Sequence, residues 1–251
     1  MNRVTNILLV LFTLFLSAGQ SRSNEYTEAE LGQIWDQAIH ILGGNANVIS
    51  RWVVPVQYGL VANTTDTRFE KYVVKAFTEI QSLTDLTIRH NKTQATNSYL
   101  QQLEQISPHQ LALCMDDDPC INFQVVISDI ATMRNIAEKI PLRAVYQDAL
   151  QGDNAICFFA PYQRDSAIFQ ALVFVNNTSD ATLIRTCLNE EIYQAFGLFN
   201  DYTDSDYFSF NNRVQEKEIT TVDKALLKTV YEFDPGAPAF IVAKKLIRTL
   251  R

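Results

Sequence analysis

The residues with the clearest chemical potential lie in one segment, positions 186 to 206, which reads TCLNEEIYQAFGLFNDYTDSD. On a helical wheel, Glu191 lies on an apolar stripe that also contains Ile184, Cys187, Leu188, Ile192 and Ala195. A carboxyl group in such a place is expected to be buried and to have a raised pKa. A carboxyl group of this kind can act as a general acid or base, so Glu191 is the candidate catalytic residue if the protein is an enzyme.

Further polar side chains surround Glu191 in the sequence. Glu190 and Gln194 are four residues apart and share the edge of the same helical face, and Asn200 and Asp201 follow the glycine turn at Gly197. Two carboxyl groups at a suitable separation can hydrolyse glycosides, whereas surface carboxylates are usually only solvated. We therefore take Glu190, Gln194, Asn200 and Asp201 as candidate cleft or binding residues. The aromatic residues that follow could line a groove or pack onto the core: Tyr202, Tyr207, Phe208 and Phe210.

The same segment is a poor match for a metal site. Zinc is held in proteins mainly by imidazole and thiolate groups, and the chain has only three His, at positions 40, 90 and 109. One carboxylate and two amide oxygens would at best suit a hard ion such as calcium. The acidic run 116–118 lacks the glycine and glutamate spacing of a calcium loop, which favours a solvated turn. We expect no metal and no cofactor.

The spacing of the segment resembles the zinc helix of the metzincin peptidases, H-E-x-x-H-x-x-G-x-x-H. Glu190, Gln194 and Asn200 stand at the three histidine positions, while Glu191 and Gly197 match the general base and the turn glycine. A second helix follows the polar loop, but residues 205–212 contain no Met where a Met-turn is expected. The resemblance implies a zincin-like fold with a degenerate zinc helix at about 180–196, and a pseudo-peptidase rather than a zinc enzyme.

The whole pattern is similar to a bacterial exported family, domain of unknown function 2927 (DUF2927). Three segments carry this resemblance, residues 49–56 (ISRWVVPV), residues 187–201, and residues 210–211 followed by 219–235. It covers roughly residues 45 to 240. The resemblance implies a zincin-like fold and gives no activity.

The N-terminus predicts export. An apolar run of ten residues, 7–16, lies between Arg3 and the small and polar residues 17–23, as in a secretory signal peptide. A membrane-spanning helix needs about 20 apolar residues, so the run is too short, and no later segment could span a bilayer. Together with the family resemblance, this predicts an exported bacterial protein, periplasmic or extracellular, with a signal peptide over 1–23.

Four cysteines remain after the signal peptide, and an even count in an oxidising compartment indicates two disulfides. Three connectivities are possible. We favour Cys114–Cys120, which would close a short turn-forming loop, and Cys157–Cys187, which would tie a predicted strand to a predicted helix.

Hydrophobic periodicity predicts an α+β protein with a mixed sheet and flanking helices. Helices are predicted over 28–42, 69–83, 97–106, 130–150 with a break at Pro141, 180–196, 221–232 and after Pro238. Strands are predicted over 48–61, 86–88, 123–127, 155–159 and 168–175. The chain divides into the signal peptide, an N-terminal helical segment over 24–44, and one zincin-like domain over 45–251 that includes the C-terminal helix.

Charge restricts the partners. The formal net charge is −7, and no basic cluster offsets it, which argues against nucleic acid as a partner. We expect a non-catalytic binding protein or an envelope-associated protein whose ligand is a protein, peptide or glycan. The alternative is a metal-independent hydrolase, peptidase or glycosidase-like, that uses Glu191 as general acid or base.

Overall fold

The computed structural model describes residues 26–43, 47–62, 68–91, 121–138, 157–210 and 218–251. The predicted signal peptide, the predicted helix over 97–106, and both Cys114 and Cys120 lie outside these residues. Within them, no helix combines the length and the apolar character that crossing a membrane requires.

Most of the described helices agree with the predicted bounds to within a few residues. Of the helix predicted over 130–150, the first part is a described helix, and residues 139–150 lie outside the described residues. The described helices are α1 (Glu28–Gly43), α2 (Arg68–Leu83), α3 (Ile130–Ala137), α4 (Ala181–Gln194), α5 (Thr221–Val230) and α6 (Ala239–Leu250). The strands are β1 (Arg51–Trp52), β2 (Val56–Ala62), β3 (Ile88–His90), β4 (Phe123–Ser128), β5 (Cys157–Arg164) and β6 (Ala167–Asn176). The single strand predicted over 48–61 is two strands separated by residues 53–55, which include Pro55, a residue without an N–H for a ladder hydrogen bond.

In the described part of the chain, six strands form one sheet that is mostly parallel, in the order β3, β2, β4, β6, β5, with the short β1 beside the start of β6. At its centre, Val125 of β4 lies between Leu60 of β2 and Val173 of β6. Strand β5 is antiparallel to β6 and follows β6 in this order as the last strand. The predicted α+β class with a mixed sheet flanked by helices is therefore confirmed.

The two faces of the sheet bury different sets of residues, because side chains alternate along each strand. On one face, Phe123, Val125 and Ile127 join a large core shared with α1, α2, α4, α5 and α6. On the other face, Val126, Leu172 and Phe174 join a smaller cluster with Met133 and Ile136 of α3. Helix α1 contributes Ile34, Ile41 and other buried residues to the main core.

Helix α4 carries the candidate site and is fixed at several points. Asp180 caps its N-terminus by accepting from the backbone N–H groups of Thr182 and Leu183. The Trp52 indole N–H donates to the Ala195 carbonyl at 2.9 Å, and the Tyr193 hydroxyl donates to Glu79 of α2 at 2.8 Å. These contacts orient the helix about its own axis and so determine which residues face β5.

Candidate functional site

Glu191 is buried, as its place on the apolar stripe predicts. Only 8% of its surface is exposed, and its carboxyl group accepts a hydrogen bond from the backbone N–H of Phe159 in β5. Burial raises the pKa of Glu191 well above its ordinary value, and the negative charges of Glu190 and Asp201 raise it further. The Phe159 bond acts in the opposite direction and is outweighed. The site therefore favours the protonated carboxylic acid.

Gln194 lies one turn after Glu190 and is buried, with 4% of its surface exposed. Its side-chain amide donates to the carboxylate of Asp201, with Nε2 and Oδ1 2.5 Å apart. Partial burial of the Asp201 carboxyl group raises its pKa, whereas the Gln194 bond and the nearby His40 ring lower it. Gln194 and Asp201 thus form one hydrogen-bonded unit beside Glu191.

The side chain of Asn200 forms hydrogen bonds with the end of helix α1. Its amide nitrogen donates to the carbonyl oxygens of His40 at 2.9 Å and Ile41 at 3.3 Å, in the last turn of α1. Its backbone N–H also donates to the Ile41 carbonyl, at 3.3 Å. The side chain therefore satisfies carbonyl groups that a helix C-terminus leaves without intrahelical partners. Asn200 fastens the loop after α4 to α1 rather than joining Gln194 and Asp201.

The structure adds two site residues that the sequence did not indicate, Phe159 and His40. Nε2 of His40 lies 3.1 Å from the backbone carbonyl of Asp201, and its ring meets the Tyr202 ring edge to face, with centroids 5.4 Å apart. Phe159 stacks on Phe199 at 5.8 Å. No local signal points to either residue, because their contacts join positions about 160 and 40 residues apart.

Of the aromatic residues Tyr202, Tyr207, Phe208 and Phe210, two are buried in the core and two lie at its margin. Phe208 and Phe210 are buried in the main core. Tyr202 and Tyr207 are half-buried and pack against the core from its margin. Only these two tyrosines could therefore also contact a ligand, and Tyr202 is the one beside Asp201 and His40.

The residues at the three zinc-ligand positions do not fit a zinc ion. Glu190 supplies one carboxylate, the amide of Gln194 is bonded to Asp201, and the amide of Asn200 is bonded to α1. None of the three is an imidazole or a thiolate, the groups that supply most ligands of zinc sites. Across the described ranges, no group of three or more His, Cys, Asp or Glu side chains is placed to hold a metal ion.

A substitution at Asn200 tests its assignment to α1. We expect Asn200→Ala to lower the free energy of unfolding by about 1 kcal/mol, because two carbonyl groups lose a donor at a partly exposed position. The matched control is Asn189→Ala on α4, which should change stability by less than about 0.5 kcal/mol. Both values come from chemical denaturation. Equal effects in the two variants would contradict the assignment.

The arrangement is one buried carboxylic acid, a hydrogen-bonded amide–carboxylate unit, and a rim formed by His40 and Tyr202. Such a site can hold a proton and can accept or donate hydrogen bonds at its rim. No curated protein matches the chain. A family model described as a protein of unknown function (DUF2927) matches residues 21–236, which is most of the chain. The chain therefore belongs to the DUF2927 family.

Proposed function

We propose that this protein is an exported bacterial protein of the periplasm or cell surface, with a zincin-like domain that lacks zinc ligands and binds a protein, peptide or glycan without catalysis. The observation that carries the proposal is the bond from the buried Gln194 amide to Asp201. A position that would hold a metal in a peptidase is occupied by an internal hydrogen bond.

The zincin-like assignment is supported by the arrangement around α4. The helix that carries the motif ends at Gly197, whose φ of +116° makes the turn, and α5 follows after the polar loop. The residue at the general-base position, Glu191, reaches the backbone of the antiparallel strand β5. Export is supported by the signal-like N-terminus and by the Cys157–Cys187 disulfide, since disulfides persist in oxidising compartments.

The rim of the site is the part that suits a ligand. His40 and Asp201 both retain exposed surface, and Tyr202 is half-buried beside them. An aromatic ring with a polar edge, a carboxylate and an imidazole can together bind the hydroxyl groups of a glycan or the polar groups of a peptide. The ligand would contact these groups while Glu191 remains below them.

Binding can be tested by calorimetric titration with peptide and glycan collections, followed by variants of the rim. Asp201→Asn keeps an acceptor for Gln194 but removes the charge, and Tyr202→Ala removes the ring. We expect each to weaken binding at least about tenfold, which corresponds to about 1.4 kcal/mol. Asp36→Asn, an exposed position elsewhere on α1, is the control. A ligand whose affinity is unchanged in both rim variants would contradict the proposed site.

Metal content gives a separate test. We expect elemental analysis of the protein, purified without chelators, to find no stoichiometric zinc, because the donor set is wrong for this ion. Added zinc should leave the melting temperature unchanged, since only a ligand that binds the folded state stabilises it. About one zinc per chain, lost in Gln194→Ala, would reverse this expectation and support a peptidase.

A metal-independent hydrolase is the second candidate, and one observation favours it. Glu191 has a raised pKa and lies beside a second carboxyl group, Asp201, as general acids of hydrolases often do. The test is a broad peptidase and glycosidase screen on the wild-type protein and on Glu191→Gln. Turnover that disappears in Glu191→Gln and persists in Asp36→Asn would establish the enzyme and overturn the non-catalytic proposal.

A further inference from the structure

One disulfide and one hydrogen bond join strand β5 to helix α4. Cys157, the first residue of β5, forms a disulfide with Cys187 of α4. Two residues further along β5, the Phe159 N–H donates to Glu191, which lies one helical turn after Cys187. Side chains four residues apart on a helix lie on the same face, so Cys187 and Glu191 both face β5. The disulfide and the Glu191 bond are therefore successive contacts along one seam.

We infer that the Cys157–Cys187 disulfide is a redox-sensitive positioning element of the site, which holds Glu191 against β5 and closes it from solvent. The inference rests on the proposed function in taking the surroundings of Glu191 as the site, and it needs no particular ligand. Reduction would separate the start of β5 from α4 and expose the Glu191 carboxyl group together with the Phe159 N–H.

The position of β5 in the sheet explains why reduction would separate this strand from α4. Among the described strands, β5 pairs only with β6, so its attachment to α4 depends on side-chain packing and on the disulfide. Cys187 is buried, whereas Cys157 is half-buried and can be reached from the surface. A thiolate can therefore attack the Cys157 sulfur while Cys187 leaves.

A dithiol can reduce the Cys157–Cys187 disulfide by two successive exchange steps. One thiolate of the dithiol attacks Cys157 and forms a mixed disulfide, and Cys187 leaves as a thiolate that takes up a proton. The second thiol of the reductant then releases Cys157 and closes its own disulfide. Two electrons and two protons pass from the dithiol to the protein.

The charged groups that act on Glu191 make its protonation a suitable reporter. Glu190 on α4 and Asp201 on the following loop face it with like charge, β5 contributes the Phe159 N–H, and His40 of α1 acts on Asp201. Burial is the largest of these influences on the Glu191 pKa. Exposure to water after reduction should therefore lower the pKa of this carboxyl group.

The experiment uses the full mature chain with Cys114→Ser and Cys120→Ser, so that Cys157–Cys187 is the only reducible disulfide. Glu191 is titrated by carbon-detected NMR of labelled glutamate carboxyl groups and is assigned with Glu191→Gln. Amide hydrogen exchange at Phe159 is measured on the same samples, before and after treatment with dithiothreitol. Cys157→Ser with Cys187→Ser is the permanent counterpart of the reduced form.

We expect reduction to lower the Glu191 titration midpoint by about one pH unit or more and to speed exchange at Phe159 at least about tenfold. Exchange in β2 and β4 should not change. An unchanged midpoint and unchanged Phe159 exchange would overturn the inference. Loss of protection throughout the sheet would also overturn it, because the disulfide would then stabilise the whole fold rather than position Glu191. No ligand is added, so the result is separate from that of the binding titrations.

Discussion

Replacing Gly197 with alanine is expected to lower the free energy of unfolding by about 3 kcal/mol or more. Gly197 has a φ of +116°, which a side chain disfavours, and a β-carbon there would lie 2.2 Å from the backbone carbonyl oxygen of Ser50. The Ser50 oxygen is a backbone atom, so no side chain can rotate away to make room for the new β-carbon. The Ser50 segment would have to move, and with it the neighbouring Trp52, whose indole N–H bonds the end of α4. Denaturant unfolding of the purified variant measures this loss.

Gly32 provides the matched control, because it is an exposed glycine inside helix α1, and a β-carbon there would have no neighbouring atom within 4 Å. Gly32→Ala should stabilise the protein by about 0.5–1 kcal/mol through the higher helix propensity of alanine. Opposite signs in the two variants would show that close approach and backbone conformation, rather than glycine content, determine the result. A Gly197→Ala variant as stable as the wild type would contradict the described turn.

The features that follow local patterns could be predicted from the sequence. The spacing of apolar residues predicted helix α4 and put Glu191 on its buried side, and the glycine after the helix indicated the turn at Gly197. Of the three possible connectivities, the sequence favours the one that pairs Cys157 with Cys187, and the structure confirms this disulfide. In each case the cause is local periodicity or the nearby placement of two predicted elements.

Contacts between distant parts of the chain could not be predicted in the same way. The motif spacing predicts a place for Asn200 in the site, yet its amide bonds the end of α1, about 160 positions earlier. His40 approaches Asp201 because α1 packs against the core beside the loop that follows α4. Hydrophobic patterns predict that a helix will pack on a core, but they do not specify which polar groups at its end will meet a given loop.

The second large effect is expected at Glu191. Glu191→Ala should lower the free energy of unfolding by about 2–3 kcal/mol, because it leaves a cavity and removes the acceptor of the buried Phe159 N–H. Glu191→Gln keeps the size and an acceptor, so it should cost less than about 1 kcal/mol at acidic pH. The control is Glu138→Gln at the exposed end of α3, with an effect below about 0.5 kcal/mol. A stable Glu191→Ala variant would contradict a structural role for this carboxyl group.

The pH dependence of the same variant separates a protonated Glu191 from an ionised one. Burial raises the pKa of Glu191 in the folded protein above its value of about 4.3 in the unfolded chain. The stability contributed by the protonated group is complete below the unfolded pKa and is lost as the pH rises through the folded pKa. Glutamine does not titrate, so this loss is absent in Glu191→Gln.

The stability of Glu191→Gln relative to the wild type should therefore increase with pH above about 4.3, by at most about 1.4 kcal/mol per pH unit, until the folded pKa is reached. Denaturant unfolding of both proteins at intervals between about pH 4 and pH 8 measures the difference. Asp201 also has a raised pKa, but it is present in both proteins and largely cancels from the comparison. A difference that is constant with pH would mean that Glu191 titrates alike in the folded and unfolded chains. A difference that changes in favour of the wild type would mean that Glu191 is stabilised as a carboxylate, which is the state that a general base requires.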